Sequence, residues 1–200
     1  MAQLNLYYQT QLSGKVTLLP EQQNSDIEQN LLHNLREKLE GRINEVSYIV
    51  RVNRIIDFGY GEIDSFGLKA MTNYNVKYDC LICAPVKKME VIVQVHSHPN
   101  QMILSKNGPL SVVTYEYQID ENKFTKASDS NKFVVKETGD EIQEGDFVKV
   151  VILNTIITGG HNAIYATARL IDMATPEEIE EYHQEQLLLL NKEIDNEIFI

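Results

Sequence analysis

This chain has no tryptophan, two cysteines, no long apolar run and a shortage of basic residues. The missing tryptophan excludes nothing. The scarcity of cysteine is more telling: with only Cys80 and Cys83 in 200 residues, a disulfide framework is ruled out and an intracellular, reducing home is indicated. No apolar stretch approaches the roughly 20 residues that a bilayer-spanning helix needs, so no membrane role is expected. The opening MAQLNLYYQ lacks the pattern of a signal peptide. Eighteen Lys and Arg stand against 29 Asp and Glu, giving a net charge of −11. That balance excludes a protein that coats nucleic acid by charge alone, although a local basic patch can sit on an acidic chain. What is present is a 43% hydrophobic content, enough to bury one or two cores at this length.

The stretch Asn75–Val95, NVKYDCLICAPVKKMEVIVQV, organises the reading. Val76, Tyr78, Cys80 and Ile82 lie two apart, as one buried face of a strand requires. Pro85 cannot donate to a sheet ladder and ends that strand, and a second β-rich run begins at Met89. So short a joint suggests two small β domains held rigidly. Upstream, Leu4 to Leu19 alternates like a strand pair with Ser13-Gly14 as its turn. Ser25 and Glu28 have capping-box spacing, Ile27, Leu31, Leu35 and Leu39 form one apolar stripe, and Gly41 stands where a helix stops. Ser47 to Ile56 is strand-like. Asp57 to Gly67 reads as a loop with glycines and, unusually, aromatics. The first half is therefore a helix over one face of a small antiparallel sheet.

From Met89 to Ile171 helical periodicity is absent. Strands are expected at Met89–His96, Met102–Lys106, Leu110–Tyr117, Lys132–Lys136, Phe147–Asn154 and Ala163–Ile171. Turns are marked by Asn107-Gly108-Pro109, Gly139-Asp140, Gly145-Asp146 and Gly159-Gly160, and Asp120 to Asn131 reads as a long polar loop. Short strands without helical crossovers fit a small closed barrel of the OB type. Thr175-Pro176-Glu177-Glu178 then starts a helix, with a cap residue, proline at the first position and acids at the positive dipole end. Ile179, Tyr182, Leu187, Leu190, Ile194 and Ile198 give it an imperfect apolar stripe. That stripe suits either packing on its own domain or docking to a partner subunit. The fold class is thus α+β: a β-helix-β domain over 1–84, an OB-fold barrel over 85–173, and an acidic helical extension over 174–200.

Chemistry is harder to find. His96-Ser97-His98-Pro99 is similar to the His-x-His-Pro element of JAMM-type zinc peptidases, but Lys106 and Pro109 stand where that element has its serine and its aspartate ligand. Cys80 and Cys83 have C-x-x-C spacing, yet three apart on a strand they point to opposite faces and read as small buried hydrophobes. Gly59-x-Gly61 lacks the strand–turn–helix setting of a phosphate loop, and Asp64-Ser65 and His161-Asn162 offer no triad. No catalytic residue, metal or cofactor is expected. OB-type modules bind single strands by stacking bases on aromatics beside basic side chains. Lys87, Lys88, Lys106, Tyr115, Tyr117, Lys123, Phe124, Lys126 and Lys132 are the groups available for that. The same residues would equally serve as solvated lysines and core aromatics of a barrel.

Over about residues 4 to 174 the chain resembles the stalk subunit of multisubunit DNA-dependent RNA polymerases. This family comprises the seventh subunit of eukaryotic polymerase II with its archaeal and viral counterparts. The resemblance is carried by Leu6-Tyr7-Tyr8, Leu18-Leu19-Pro20, Leu39-Glu40-Gly41, Asn75-Val76-Lys77-Tyr78 with Pro85-Val86-Lys87, Gly108-Pro109, Gly145-Asp146 before Phe147-Val148-Lys149-Val150, and Ala163-Ile164. It implies a noncatalytic subunit whose first domain is a tip wedged against the polymerase core. In that role Asp57, Phe58, Gly59, Tyr60, Gly61 and Phe66 would dock. It also implies a barrel near the RNA exit path that contacts nascent single-stranded RNA through Lys88, Lys106, Tyr115, Lys123 and Phe124. A small helical partner subunit would complete a heterodimer, here with Ile179, Tyr182, Leu187 and Leu190 as the extension's contacts. The setting would be intracellular, in the nucleus or, for a virus-encoded chain, the viral factory or virion.

The sequence also departs from the family. A glycine is usual near the position of Lys88, and a glycine with an aromatic where Met102-Ile103-Leu104 stand; the acidic tail beyond Met173 runs past the family's usual end. Such divergence fits a large-DNA-virus polymerase as well as a cellular one. The alternative function is a free-standing OB-type RNA-binding or translation factor.

Overall fold

Two-residue alternation builds the first unit, Tyr7–Cys83, and closes the second, which comprises Ala84–Ile200 with Met1–Leu6. The computed structural model describes residues 5–44, 47–63, 70–99, 101–127, 132–156 and 163–190.

In the first unit, β1 (Tyr7–Leu18) leads through a 3-10 turn at Pro20–Gln22 into α1 (Ile27–Leu39). Then follow β2 (Arg42–Ile43), β3 (Tyr48–Phe58), β4 (Glu62–Ile63) and β5 (Thr72–Cys83). The sheet order is β1-β5-β3-β2, with β4 also on β5, and every pairing is antiparallel. Leu31 and Leu35 of α1 are fully buried, as are Val16, Leu18, Ile49, Val52 and Cys80 of the sheet. The helix also seals the sheet's edges. Lys38 and Asn34 donate to the outer carbonyls of Lys15 and Thr17 on β1. Arg36 donates to those of Val52 and Asn53 on β3, whose Val52 amide donates to Glu40 Oε1.

Two local expectations are corrected. Ser13-Gly14 is no turn: the ladder runs straight through it, Ser13 opposite Lys77 and Gly14 opposite Val76, and Gly14 lies beside the Tyr78 ring. Ser25 does not cap α1 either. The N-cap is Asp26, and Asn24 Oδ1 accepts from the Asp26 amide and the Asn30 side chain, ordering the first turn instead. Gly41 does end the helix, at φ +74°.

The second unit contains β6 (Glu90–Ser97), β7 (Met102–Asn107), β8 (Leu110–Tyr115), β9 (Phe124–Lys126), β10 (Phe133–Val135), β11 (Phe147–Ile156), β12 (Ile164–Met173) and α2 (Pro176–Leu190). The strands β11-β12-β8-β7-β6 close a barrel, with β12 parallel to β8 and β6 returning to pair β11. That is the OB-like arrangement. Val91, Val93, Val95, Ile103, Leu110, Val112, Val150, Ile152, Ala166 and Leu170 fill its interior. The segment read as a polar loop at 120–131 holds β9, which pairs with β10 as a separate ribbon. It pins Phe124 and Phe133 inward. The expected strand at Lys132–Lys136 is β10, outside the barrel.

Candidate functional site

The edge of the first sheet carries one built feature. Phe58 pairs with Val76, Gly59 donates to the Asn75 carbonyl at 2.9 Å, and Glu62 pairs with Asn73. The ladder is thus kept on both sides of Tyr60, which is thrown outward and is 99% exposed. Gly61 makes this possible: a Cβ there would stand 2.4 Å from Thr72 Cγ2 and 2.6 Å from Tyr74 Cζ. Ile63 and Ile56 are also exposed. Asp57 and Phe58 are not loop residues, as expected from sequence, but the end of β3. Phe58 meets the Tyr74 ring edge-on at 6.3 Å, so it braces the bulge rather than projecting from it. Phe66 lies outside the described residues.

On the barrel, four lysines are paired with acids. Lys123 pairs with Asp172, Lys126 with Glu116 at 2.9 Å, Lys132 with Glu141 at 3.2 Å, and Lys149 with Glu178. Lys88 and Lys106 are exposed and, among the described residues, have no acidic partner. Lys88 adopts φ +70°, the left-handed region that suits glycine. Its backbone amide donates to the Ile152 carbonyl at 2.7 Å, which holds it there. Phe124 is only 2% exposed; the β9–β10 ribbon turns it inward, so it is corrected from an RNA-stacking residue to a core residue. Among the described residues of the barrel unit the most exposed aromatic is Tyr117, at 79%, whose ring stacks on half-buried Tyr115 at 5.5 Å and 7°. One face of the Tyr117 ring is thereby held flat by a second ring.

The tail helix is docked on its own barrel. Its expected cap is present as a reciprocal box: the Thr175 amide donates to Glu178 Oε2 at 3.0 Å and the Glu178 amide to Thr175 Oγ1 at 3.3 Å. Tyr182, read as a partner contact, is 8% exposed and packs edge-on against Phe147 at 5.0 Å, which corrects that assignment. Ile179 is half-buried, Leu187 faces outward at 58% exposure, and the Leu190 side chain lies outside the described set. Gln186 donates to Asn107 Oδ1 at 2.8 Å. Burial pushes the Glu178 carboxyl up, but the Lys149 ammonium and the Thr175 groups outweigh it and hold it below the usual carboxylate value. Phe147 and Lys149 were absent from the sequence-derived site. The signal was an aromatic on the outward register of β11, where an uncovered strand would carry a polar residue.

The motifs with apparent chemistry settle elsewhere. Cys80 and Cys83 are both buried free thiols; burial, with Asp79 adding, pushes Cys80 up to about 11. Among the described residues no three His, Cys, Asp or Glu side chains gather as a metal requires. His98 lines a cleft of about 410 Å³ with Lys132, Gln143 and Glu144.

Comparison with known proteins now decides the identity of the family. Residues 13–65 match the SHS2 domain found in the N terminus of Rpb7p, Rpc25p and MJ0397. Over 197 residues, 98% of both chains, the sequence is 40% identical to an Acanthamoeba polyphaga mimivirus protein named as a putative DNA-directed RNA polymerase subunit. The chain belongs to the Rpb7-like family of RNA polymerase subunits. It is therefore a noncatalytic subunit of a transcription complex. Lys88 in its left-handed conformation and the docked acidic helix both lie in the barrel unit.

Proposed function

We propose that this Rpb7-like subunit is the stalk of its polymerase, docking on the core through the Tyr60 bulge, joining a small helical partner subunit, and guiding nascent single-stranded RNA along the barrel. The observation that carries the RNA reading is the Tyr115–Tyr117 pair. A ring that is 79% exposed yet backed by a parallel neighbour is a rigid platform on which a base can stack without sequence preference. Lys88 and Lys106, which are exposed and have no acidic partner among the described residues, supply the electrostatic part. Core docking rests on Tyr60, Ile56 and Ile63, three apolar side chains left exposed to water. Partner contacts of α2 fall to Ile179 and Leu187. Such a subunit works inside the cell, in the nucleus or, where the chain is virus-encoded like its relative, in the viral factory or virion.

The test is photo-crosslinking to a labelled transcript in the assembled polymerase. With a photoreactive uridine just beyond the exit path, crosslinks should reach the wild-type barrel and fall about tenfold in Tyr117→Ala, the loss of one base–aromatic stack of about 1–3 kcal/mol. Equal crosslinking by both would contradict the stacking role. Relatedness over the whole chain favours this reading over a free-standing RNA-binding factor.

A further inference from the structure

Strand register sets Lys106 on an outer barrel face beside Gln94, Phe147 and Lys149. Gln94 on β6 pairs with Lys106 on β7 and with Phe147 on β11, so these three outward residues form one row across adjacent strands. Ile92, two residues back on β6, pairs with Lys149. Lys106 and Lys149 therefore lie on the same outer face, which α2 crosses. The helix meets that face through Glu178 on Lys149 and Tyr182 on Phe147, and one turn later Gln186 donates to Asn107, a buried residue on the opposite side of β7 from Lys106.

We propose that α2 is an acidic strap lying over an anion-binding face of the barrel, and that the anion it excludes is the sugar–phosphate backbone of single-stranded RNA. The proposal rests on the reading that this barrel meets RNA, and adds how that contact is regulated. Three properties of the contact support it. First, the strap's carboxylate occupies the lysine that a phosphate would use, so Glu178 stands where a phosphate oxygen would. Second, the attachment is shallow: among the described side chains of α2 only Tyr182 is buried, and the anchors on either side of it are polar. A helix fixed purely as part of a core would bury a continuous stripe. Third, Glu177, Glu180 and Glu181 remain exposed on the same helix, so the docked strap repels a polyanion from the face beyond the one lysine it neutralises.

The experiment uses the full chain carrying Tyr182→Ala with Glu178→Gln, which removes the apolar anchor and the ion pair. Hydrogen exchange of the α2 amides reads release, and that of β6 and β11 reads barrel integrity. The probe is a labelled oligouridine of about 12 nucleotides, within the site size of one such barrel. Release should raise affinity roughly five- to tenfold, with a steeper salt dependence of about one further phosphate contact. Adding Lys149→Ala should remove the gain. The strap is refuted if α2 stays protected, if β6 and β11 lose protection with it, if release brings no gain, or if the gain survives Lys149→Ala. Tyr117→Ala in the released protein separates the two readings: a gain that persists while Tyr117→Ala changes nothing keeps the strap and overturns the stacking platform.

Discussion

The sheet unit and the barrel unit handle their exposed groups in opposite ways. Along the sheet's edge, α1 seals Lys15, Thr17, Val52 and Asn53 with its own side chains, and near the glycine bulge the apolar Ile56, Tyr60 and Ile63 stand exposed beside the acids Asp57 and Glu62. On the barrel, four lysines, Lys123, Lys126, Lys132 and Lys149, are already matched to acids. An apolar handle on a rigid edge suits a permanent partner, because its burial is favourable at any ionic strength. Screened lysines suit a ligand that must pass along and leave, because exposed ion pairs are weak and exchange readily. On the proposed reading, one molecule is held tightly at one surface and touches a moving strand at another.

Four substitutions sharpen that contrast, beginning with the largest effect. Leu35→Ala removes a fully buried side chain from under the sheet and should cost about 2–5 kcal/mol, seen as lost hydrogen-exchange protection across β3 and β5. Gly61→Ala forces a methyl against Thr72 and Tyr74 and should cost about 1–3 kcal/mol while displacing the bulge, so polymerase copurification should fall with stability. Tyr60→Ala should leave stability within about 0.5 kcal/mol and still lower copurification. If Tyr60→Ala copurified like wild type while Gly61→Ala did not, the edge would matter only for folding.

The smallest effect is a pH dependence of the barrel. Burial lowers the His98 imidazole below its ordinary value of 6.5; Glu144 opposes, Lys132 adds to the lowering, and Asp146 opposes. A depressed folded-state value means that neutral His98 stabilises the fold. Its contribution is complete above 6.5 and is lost as pH falls through the folded-state value. Denaturant midpoints should fall between about pH 7 and pH 5, and His98→Asn should flatten that slope. A midpoint that rises on acidification would contradict the sign.

Where local pattern and tertiary packing agreed, the sequence was readable. The alternation of β5, the stripe of α1 with its terminal Gly41 and the capping box at Thr175 all appear in place. Two failures share one cause. Gly14 and the ribbon residue Phe124 were read from local chemistry, but what they do is set by neighbours far along the chain: Tyr78 beside Gly14, and β10 opposite β9. Tyr182 fitted either a partner or its own barrel until Phe147 was seen opposite it. The bulge was half legible, since glycines flanking an aromatic signalled a projecting residue. That Asp57 and Phe58 belong to the strand depended on register with Lys77 and Val76.

The most direct measurement is affinity purification of the tagged full-length chain from cells that make it, with identification of the bound proteins. The account predicts the large catalytic polymerase subunits in stoichiometric amount together with a small helical subunit. A chain recovered alone or bound only to RNA would contradict it.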